Sequence, residues 1–258
     1  MKIARRMIVG LAFVLLVGGC AELITYSKKS ETEGDKLMAA GRVEEAAGAY
    51  RNATQQNPAA YESFLKLGQA YEQLGREQQA LQSYRAAVDV APTSTLKENL
   101  EFREKAVNGL AKCIANSDSR DAEMTASSEK AARTGKAVDW YVIARTYVAA
   151  GDADNAIDAY DRALLASSSQ DQPIAKSFGL YLVQVGQTKR AEATLTKAYQ
   201  LKPDDAEVVA ALRKIGVVPG PSMLEADKMH SPLMPKGPIP ELELNVKDKN
   251  KPAEPVAE

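Results

Sequence analysis

The side chains best suited to nucleophilic or metal chemistry are few in this chain. There are two cysteines, Cys20 and Cys113, and one histidine, His230, which lies in a proline-rich stretch. That set is too small and too scattered for a His/Cys metal site or a Cys–His nucleophile pair. The run Asn116-Ser-Asp-Ser-Arg-Asp121 offers oxygen ligands, but it lacks the glycine and the terminal glutamate of a calcium loop. It reads as a helix connection with a capping residue. Acid pairs such as Glu44-Glu45 fall at helix starts, where the dipole favours them and water solvates them. GxGxxG, Walker, HExxH, GxSxG and CxxC motifs are all absent. The expectation is a chain that is not an enzyme, with no catalytic residue, no cofactor and no metal. Cys113 is expected to serve as a small buried hydrophobe, with a reactive thiol as the sharper alternative.

If the chain does no chemistry, its surfaces must do the work, and those depend on its helices. Residues 61–94 show the organising pattern. Apolar residues recur at helical spacing in two blocks, Phe64, Leu67, Tyr71, Leu74 and then Ala80, Tyr84, Ala87, Val88. Gly75 separates the blocks as a turn, and Pro92 ends the second. Each block is a short amphipathic helix that cannot bury its stripe alone. Gly68, Ala80 and Ala87 are small where neighbouring helices must approach closely. Hydrophobic residues at 45% and charged residues at 26% suit a soluble domain, and the low aromatic content of 6% suits closely stacked helices.

This unit resembles a tetratricopeptide repeat, a 34-residue helix–turn–helix that stacks on copies of itself. Used as a ruler, it predicts five repeats. The first covers 27–60, with Gly34, Leu37, Gly41, Ala46, Tyr50, Ala53 and Pro58 in place, and the second 61–94. One long helix over 96–116 carries the stripe Leu96, Leu100, Val107, Leu110 and Ile114. A degenerate third repeat at 103–136 puts Ala106, Leu110, Cys113, Ala122 and Ala126 on packing positions and Glu129 where Ala is usual. The fourth covers 137–170, with Trp140, Ile143, Ala144, Tyr147, Gly151, Ala156, Tyr160 and Ala163; Trp140 is expected in the core. The fifth covers 172–205, with Phe178, Gly179, Leu182, Gly186, Ala191, Leu195, Ala198 and Pro203. Residues 204–215 read as a capping helix, with Asp204 or Asp205 as N-cap. The fold class is all-α: a right-handed superhelix of about five helical hairpins plus a capping helix, over 27–215.

The two ends differ from this body. Residues 1–19 pair a basic segment (Lys2, Arg5, Arg6) with an apolar run, Met7 to Val17, too short to span a bilayer comfortably. Val17-Gly18-Gly19-Cys20 resembles the lipobox of bacterial lipoproteins. The resemblance implies a signal peptide over 1–19, lipid (palmitate among the acyl chains) on Cys20, and a lipidated linker over 20–26. Ala21 rather than Asp after the cysteine implies the outer membrane. Without residues 1–19 the charged residues are 30 basic and 34 acidic, and so weakly acidic a body makes no case for nucleic acid. From 216 to 258 the chain reads as a proline-rich, extended or disordered tail. Within it, PLMPKGPIPELELNV (232–246) alternates Leu242, Leu244 and Val246 like a strand or a docking peptide.

In repeats of this kind the first helix of each unit lines the concave face. Carrying those positions over gives Glu31 and Asp35, then Glu62, Leu65, Gln69, Glu72 and Gln73. Repeats four and five give Val138, Tyr141, Arg145 and Val148, then Lys176, Leu180 and Val183. The expected groove is polar and acidic at its N-terminal half, and apolar with Arg145 and Lys176 at the other. The site residues expected to hold a partner are Gln69, Glu72, Tyr141, Arg145, Val148, Lys176, Leu180 and Val183. The resemblance as a whole implies a membrane-anchored, protein- or peptide-binding scaffold in the bacterial envelope, facing the periplasm. Such lipoproteins assist assembly of envelope, pilus or secretion complexes. The alternatives are an adaptor or accessory of a cell-wall enzyme, and a spacer whose C-terminal tail docks.

Overall fold

A computed structural model describes residues 25–92, 97–167 and 171–225. The predicted signal peptide, Cys20 and the 232–246 segment lie outside those residues. The described residues up to Pro219 form one compact unit, and those from Gly220 to Glu225 belong to a second. The described residues of the first unit are helices and short turns without a strand: α1 (25–39), α2 (Val43–Gln56), α3 (Tyr61–Gln73), α4 (Glu77–Val90), α5 (Lys97–Asn116), α6 (Arg120–Thr134), α7 (Ala137–Ala150), α8 (Ala153–Ala166), α9 (Gln172–Gln184), α10 (Thr188–Leu201) and α11 (Ala206–Lys214). In the second unit, Pro221–Glu225 form a short helix, α12, inside the stretch read as tail. Pro221 opens it, at the place where a missing N–H costs nothing and a fixed φ helps.

The helices pair in sequence. α3 packs on α4, α7 on α8, and α9 on α10, and each hairpin then meets the next through α2–α3, α4–α5 and α8–α9. The turns form as expected. At Gly75 the backbone takes φ 68°, and Arg76 N–H returns to the Tyr71 carbonyl at 2.9 Å, closing α3. α11 covers α9 and α10. Asp205 rather than Asp204 caps it, accepting from the N–H groups of Glu207 (3.1 Å) and Val208 (3.3 Å).

Three of the hairpins, α1–α2, α3–α4 and α9–α10, close on a contact between a glycine and one large side chain. A Cβ on Gly34 would lie 2.5 Å from the Tyr50 ring, and one on Gly179 2.6 Å from Leu195. Tyr84 is held on two sides: a Cβ on Gly68 would come within 2.7 Å of its ring, and one on Gly109 within 2.6 Å. Tyr50, Tyr84 and Tyr160 are all essentially buried. Trp140 is half-buried against the core, with the Arg162 guanidinium 5.0 Å above its ring.

The third repeat departs from its predicted register. Ala122 and Ala126, assigned to packing, are exposed, and the buried residues of α6 are Met124 and Ala131. The packing face sits two residues further on, so Ala131 fills the small position given to Glu129, and Glu129 faces solvent. The reason is the length of α5. Its 20 residues carry the chain beyond a normal first helix, and α5 packs chiefly on α4 and α7 while touching α6 little. The 117–119 connection to α6 places Ser119 at the cap position without a side-chain cap bond.

Two glycines give opposite expectations. Gly68→Ala should cost about 1–3 kcal/mol, because Tyr84 cannot move away from Gly109. Gly48, inside α2 with nothing within 4 Å, should gain about 0.5–1 kcal/mol on becoming Ala. Urea midpoints of the two variants check both; equal shifts would contradict the packing.

Candidate functional site

The first helices of the hairpins, α1, α3, α7 and α9, present equivalent residues row by row. Four residues into each repeat from its start stand Glu31, Leu65, Tyr141 and Lys176. The first three are buried, at 5%, 2% and 0% exposure. This row packs between successive first helices instead of lining a groove. Tyr141, expected as a partner contact, is therefore core: its hydroxyl donates to Glu104 Oε2 on α5 at 2.8 Å, and its ring lies 6.0 Å from that of Tyr160. An aromatic this far from solvent braces the groove from below.

The next rows do face outward. Asp35, Gln69, Glu72 and Gln73, with Met38, Ala39, Tyr50 and Lys66, line a concavity of about 620 Å3 over α1 and α3. A second, of about 570 Å3, lies over α9 and α11 and is lined by Leu180, Val183, Gln184, Glu207, Ala210, Ala211 and Lys214. Val148 and Arg145, both half-buried on α7, belong to the same rows. The structure thus keeps Gln69, Glu72, Arg145, Val148, Leu180 and Val183 on the outward rows, and half-buries Lys176 between α9 and α11. Polar residues dominate the lining of the first concavity, while the second combines Leu180, Val183, Ala210 and Ala211 with Gln184, Glu207 and Lys214.

Most of the charge on these helices is engaged within the protein. Glu31 accepts from Ser63 Oγ (2.6 Å), Lys66 Nζ (2.9 Å) and Lys28 Nζ (3.0 Å), and Lys66 also reaches Asp35 at 2.8 Å. Glu72 pairs with Lys112 of α5 and accepts from Tyr84 Oη at 2.8 Å. Lys176 bridges to Asp205 (3.2 Å) and Glu207 (2.6 Å) on the capping helix. Arg145 Nη1 donates to Ser177 Oγ at 3.1 Å, and that hydroxyl lies 2.9 Å from Tyr160 Oη. Polar bonds therefore join α1 to α3, α3 to α5, α5 to α7, α7 to α9 and α9 to α11.

Two glutamates in this series respond oppositely to their surroundings. Burial raises the Glu31 carboxyl, but the bonds from Ser63, Lys66 and Lys28 outweigh it, and the group titrates below the usual range. For Glu104 burial dominates. The Tyr141 hydrogen bond and the charges of Arg145 and Arg103 do not offset it, so its carboxyl titrates above that range. Burial, then the Glu72 charge, pushes the half-buried Cys113 thiol up to about 11, which leaves it a weak nucleophile near neutrality. The acid pair Glu44-Glu45 is exposed at the start of α2, and its members pair with Arg76 and Arg42. Among the described residues no group of three or more His, Cys, Asp or Glu side chains could hold a metal ion.

With the hairpins in place, comparison with known proteins identifies the unit. Two tetratricopeptide-repeat family models match, one over residues 32–95 and one over 140–170. Those segments are tetratricopeptide repeats. They correspond to the first, second and fourth predicted units. No curated protein matches the chain. Among solved structures, a thermophilic TPR protein of Thermus thermophilus is 18% identical, with 73% of this chain and 98% of that one covered and a TM-score of 0.44. MamA from Desulfovibrio magneticus RS-1, residue 41 to its end, is 15% identical over 70% and 97%, at 0.37. YrrB, described as a TPR protein with an unusual peptide-binding site, is 12% identical over 71% and 90%, at 0.38. At TM-scores below 0.5 these are loose likenesses.

Sequence reasoning did not foresee Glu104, Ser177 or Lys66. The signal for Glu104 was present: it falls four residues after Leu100, inside the apolar stripe of the long helix. The roles of Ser177 and Lys66 depend on partners 32 to 35 residues away and left no local mark.

Removing the Tyr141 hydroxyl (Tyr141→Phe) leaves the Glu104 carboxylate without that bond and should cost about 1–3 kcal/mol in urea unfolding. The pH responses should oppose each other. Glu31, depressed below its ordinary value of 4.5, contributes stability above that value and loses it as pH falls through the folded one, so Glu31→Gln should hurt at pH 7 and much less at pH 3. Glu104, raised, contributes in full below 4.5 and less as pH climbs through its folded value, so Glu104→Gln should lose more stability, relative to wild type, in acid than at pH 7. Parallel pH profiles for the two variants would contradict the assignment.

Proposed function

We propose that this chain is a lipid-anchored scaffold of the bacterial envelope that holds a protein segment against its inner face and so assists assembly of an envelope, pilus or secretion complex. The observation that carries the binding half is the concavity over α9 and α11. Its lining includes Leu180, Val183, Ala210 and Ala211, an apolar strip left open at the inner face of a helical solenoid. Solenoids of stacked repeats bind through such extended concave surfaces. The polar concavity over α1 and α3, with Gln69 and Gln73, adds hydrogen-bonding capacity at the other end.

The anchoring half rests on the leader and Cys20. Acyl chains contribute about 0.8 kcal/mol for each buried CH2, so several chains hold stably. Residue 25 of α1 lies five residues on from Cys20, a stretch that even fully extended reaches no more than roughly 17 Å. The groove therefore works in a thin layer at the membrane, here assigned to the outer membrane on its periplasmic side. Confinement raises effective concentration and lets a weak contact suffice.

Two substitutions separate these halves. Leu180→Asp with Val183→Asp should remove partner capture in native membranes while leaving the helical circular-dichroism signal unchanged; undiminished capture would exclude the distal groove. Cys20→Ser should abolish palmitate labelling and release the chain to the soluble fraction; continued membrane association would exclude the lipid anchor.

A further inference from the structure

The cations along the first helices are not equivalent. Lys66 is paired with Glu31 and Asp35, Lys112 with Glu72, and Lys176 with Asp205 and Glu207. Arg145 forms no ion pair among the described residues. Its hydrogen-bonding neighbours are the hydroxyls of Ser177 and Tyr160, the Glu104 carboxyl acts on it only through space, and its Nε is buried without a partner. The carboxylate that could have taken it is engaged elsewhere: Glu104 accepts from Tyr141 through Oε2, while its Oε1 stays unpartnered. On the far side, Arg103 is tied to Asp171 at 2.7 Å. The junction holds two cations and two acids, and only Arg103 and Asp171 form a direct ion pair; Arg145 and Glu104 act on each other through space without one.

The Arg145 guanidinium is preorganised. Tyr160 fixes Ser177, and Ser177 fixes Arg145. Tyr160 is itself stacked on Phe178 with ring centroids 4.8 Å apart. Arg145 is half-buried on α7, on the same row as Leu180, which lines the apolar concavity one repeat further on. A partly desolvated, immobilised guanidinium one repeat from that apolar strip is complementary to a carboxylate flanked by apolar side chains, and a charge-assisted bond there is stronger than one between neutral groups.

Resting on the groove assignment above, we propose that Arg145 is the anchor for an acidic side chain of the bound segment, so that the partner carries an Asp or Glu flanked by apolar residues. The guanidinium supplies orientation and selectivity, and Leu180 and Val183 supply contact area. Tyr141, Tyr160 and Ser177 act as positioning residues beneath it.

The test is an array of short, C-terminally amidated apolar peptides with one central Glu, the same peptides with Gln, and the Gln set with a free C-terminus. It is probed with the full chain, with Arg145→Gln, with Arg145→Lys and with Leu180→Asp, all checked for unchanged helicity. Wild type should retain the Glu set about tenfold more strongly than the Gln set, in line with a bond to a charged group. Arg145→Gln should erase that ratio while still binding the Gln set, and Arg145→Lys should restore part of it. Equal retention of Glu and Gln peptides, or a preference that survives Arg145→Gln, overturns the anchor and leaves the groove standing. Strongest retention of the free C-terminus overturns the commitment to a side chain. Binding insensitive to Leu180→Asp, or none by wild type, overturns the groove assignment and the anchor with it.

Discussion

Everything in this solenoid depends on the fit between a residue with little or no side chain and a large one across the hairpin. At Gly34 and Gly68 there is no room for even a methyl group, because the Tyr50 and Tyr84 rings occupy the space. This close approach does more than pack the core. It lets a tyrosine from the second helix pass through the hairpin and deliver its hydroxyl to the first. Tyr50 reaches Asp35 at 2.9 Å and Tyr84 reaches Glu72 at 2.8 Å, while Tyr160 reaches beyond its own hairpin to Ser177 of α9 at 2.9 Å. Burial keeps these hydroxyls protonated, so they remain donors at any ordinary pH. The core thereby sets the orientation of polar groups on the inner helices.

Those polar groups are mostly used between hairpins. Glu31, Glu72, Glu104, Arg145 and Lys176 each bond to a neighbouring first helix or to the capping helix. Partly buried pairs of this type hold position more than they add stability, since desolvation offsets much of the attraction. The working surface is what remains. At one end it is glutamines with a paired Lys66 and Glu72, and at the other an apolar strip with one incompletely matched guanidinium. A groove with that residue can be selective without being strongly charged.

The periodic part of this organisation was legible in the sequence. Gly75 marked a turn because only a residue without Cβ takes positive φ at ease; it does so at 68°, and Gly151 and Gly186 at the same repeat position do so at 76° and 77°. Gly34, Gly68 and Gly179 marked the close approaches for the same steric reason. Two readings went astray, for physical reasons. Tyr141 looked like a groove contact because its row faces inward, yet successive first helices approach closely enough to bury that row. The register of α6 slipped by two because a long α5 alters where the next helix can pack, and alanine-rich sequence does not say which alanines face in. The bonds from Glu104 to Tyr141 and from Arg145 to Ser177 join residues more than 30 apart, and no local pattern encodes them.

The central claim is that partners bind the inner face at its apolar end. The most direct measurement places a photo-crosslinking amino acid at Val183, on the first helix of the last hairpin, and separately at exposed Gln82 on α4, a second helix, in the full chain in native membranes. Mass spectrometry should find a discrete crosslinked protein from Val183 and none from Gln82. The same product from both positions, or a product from Gln82 alone, would contradict the account.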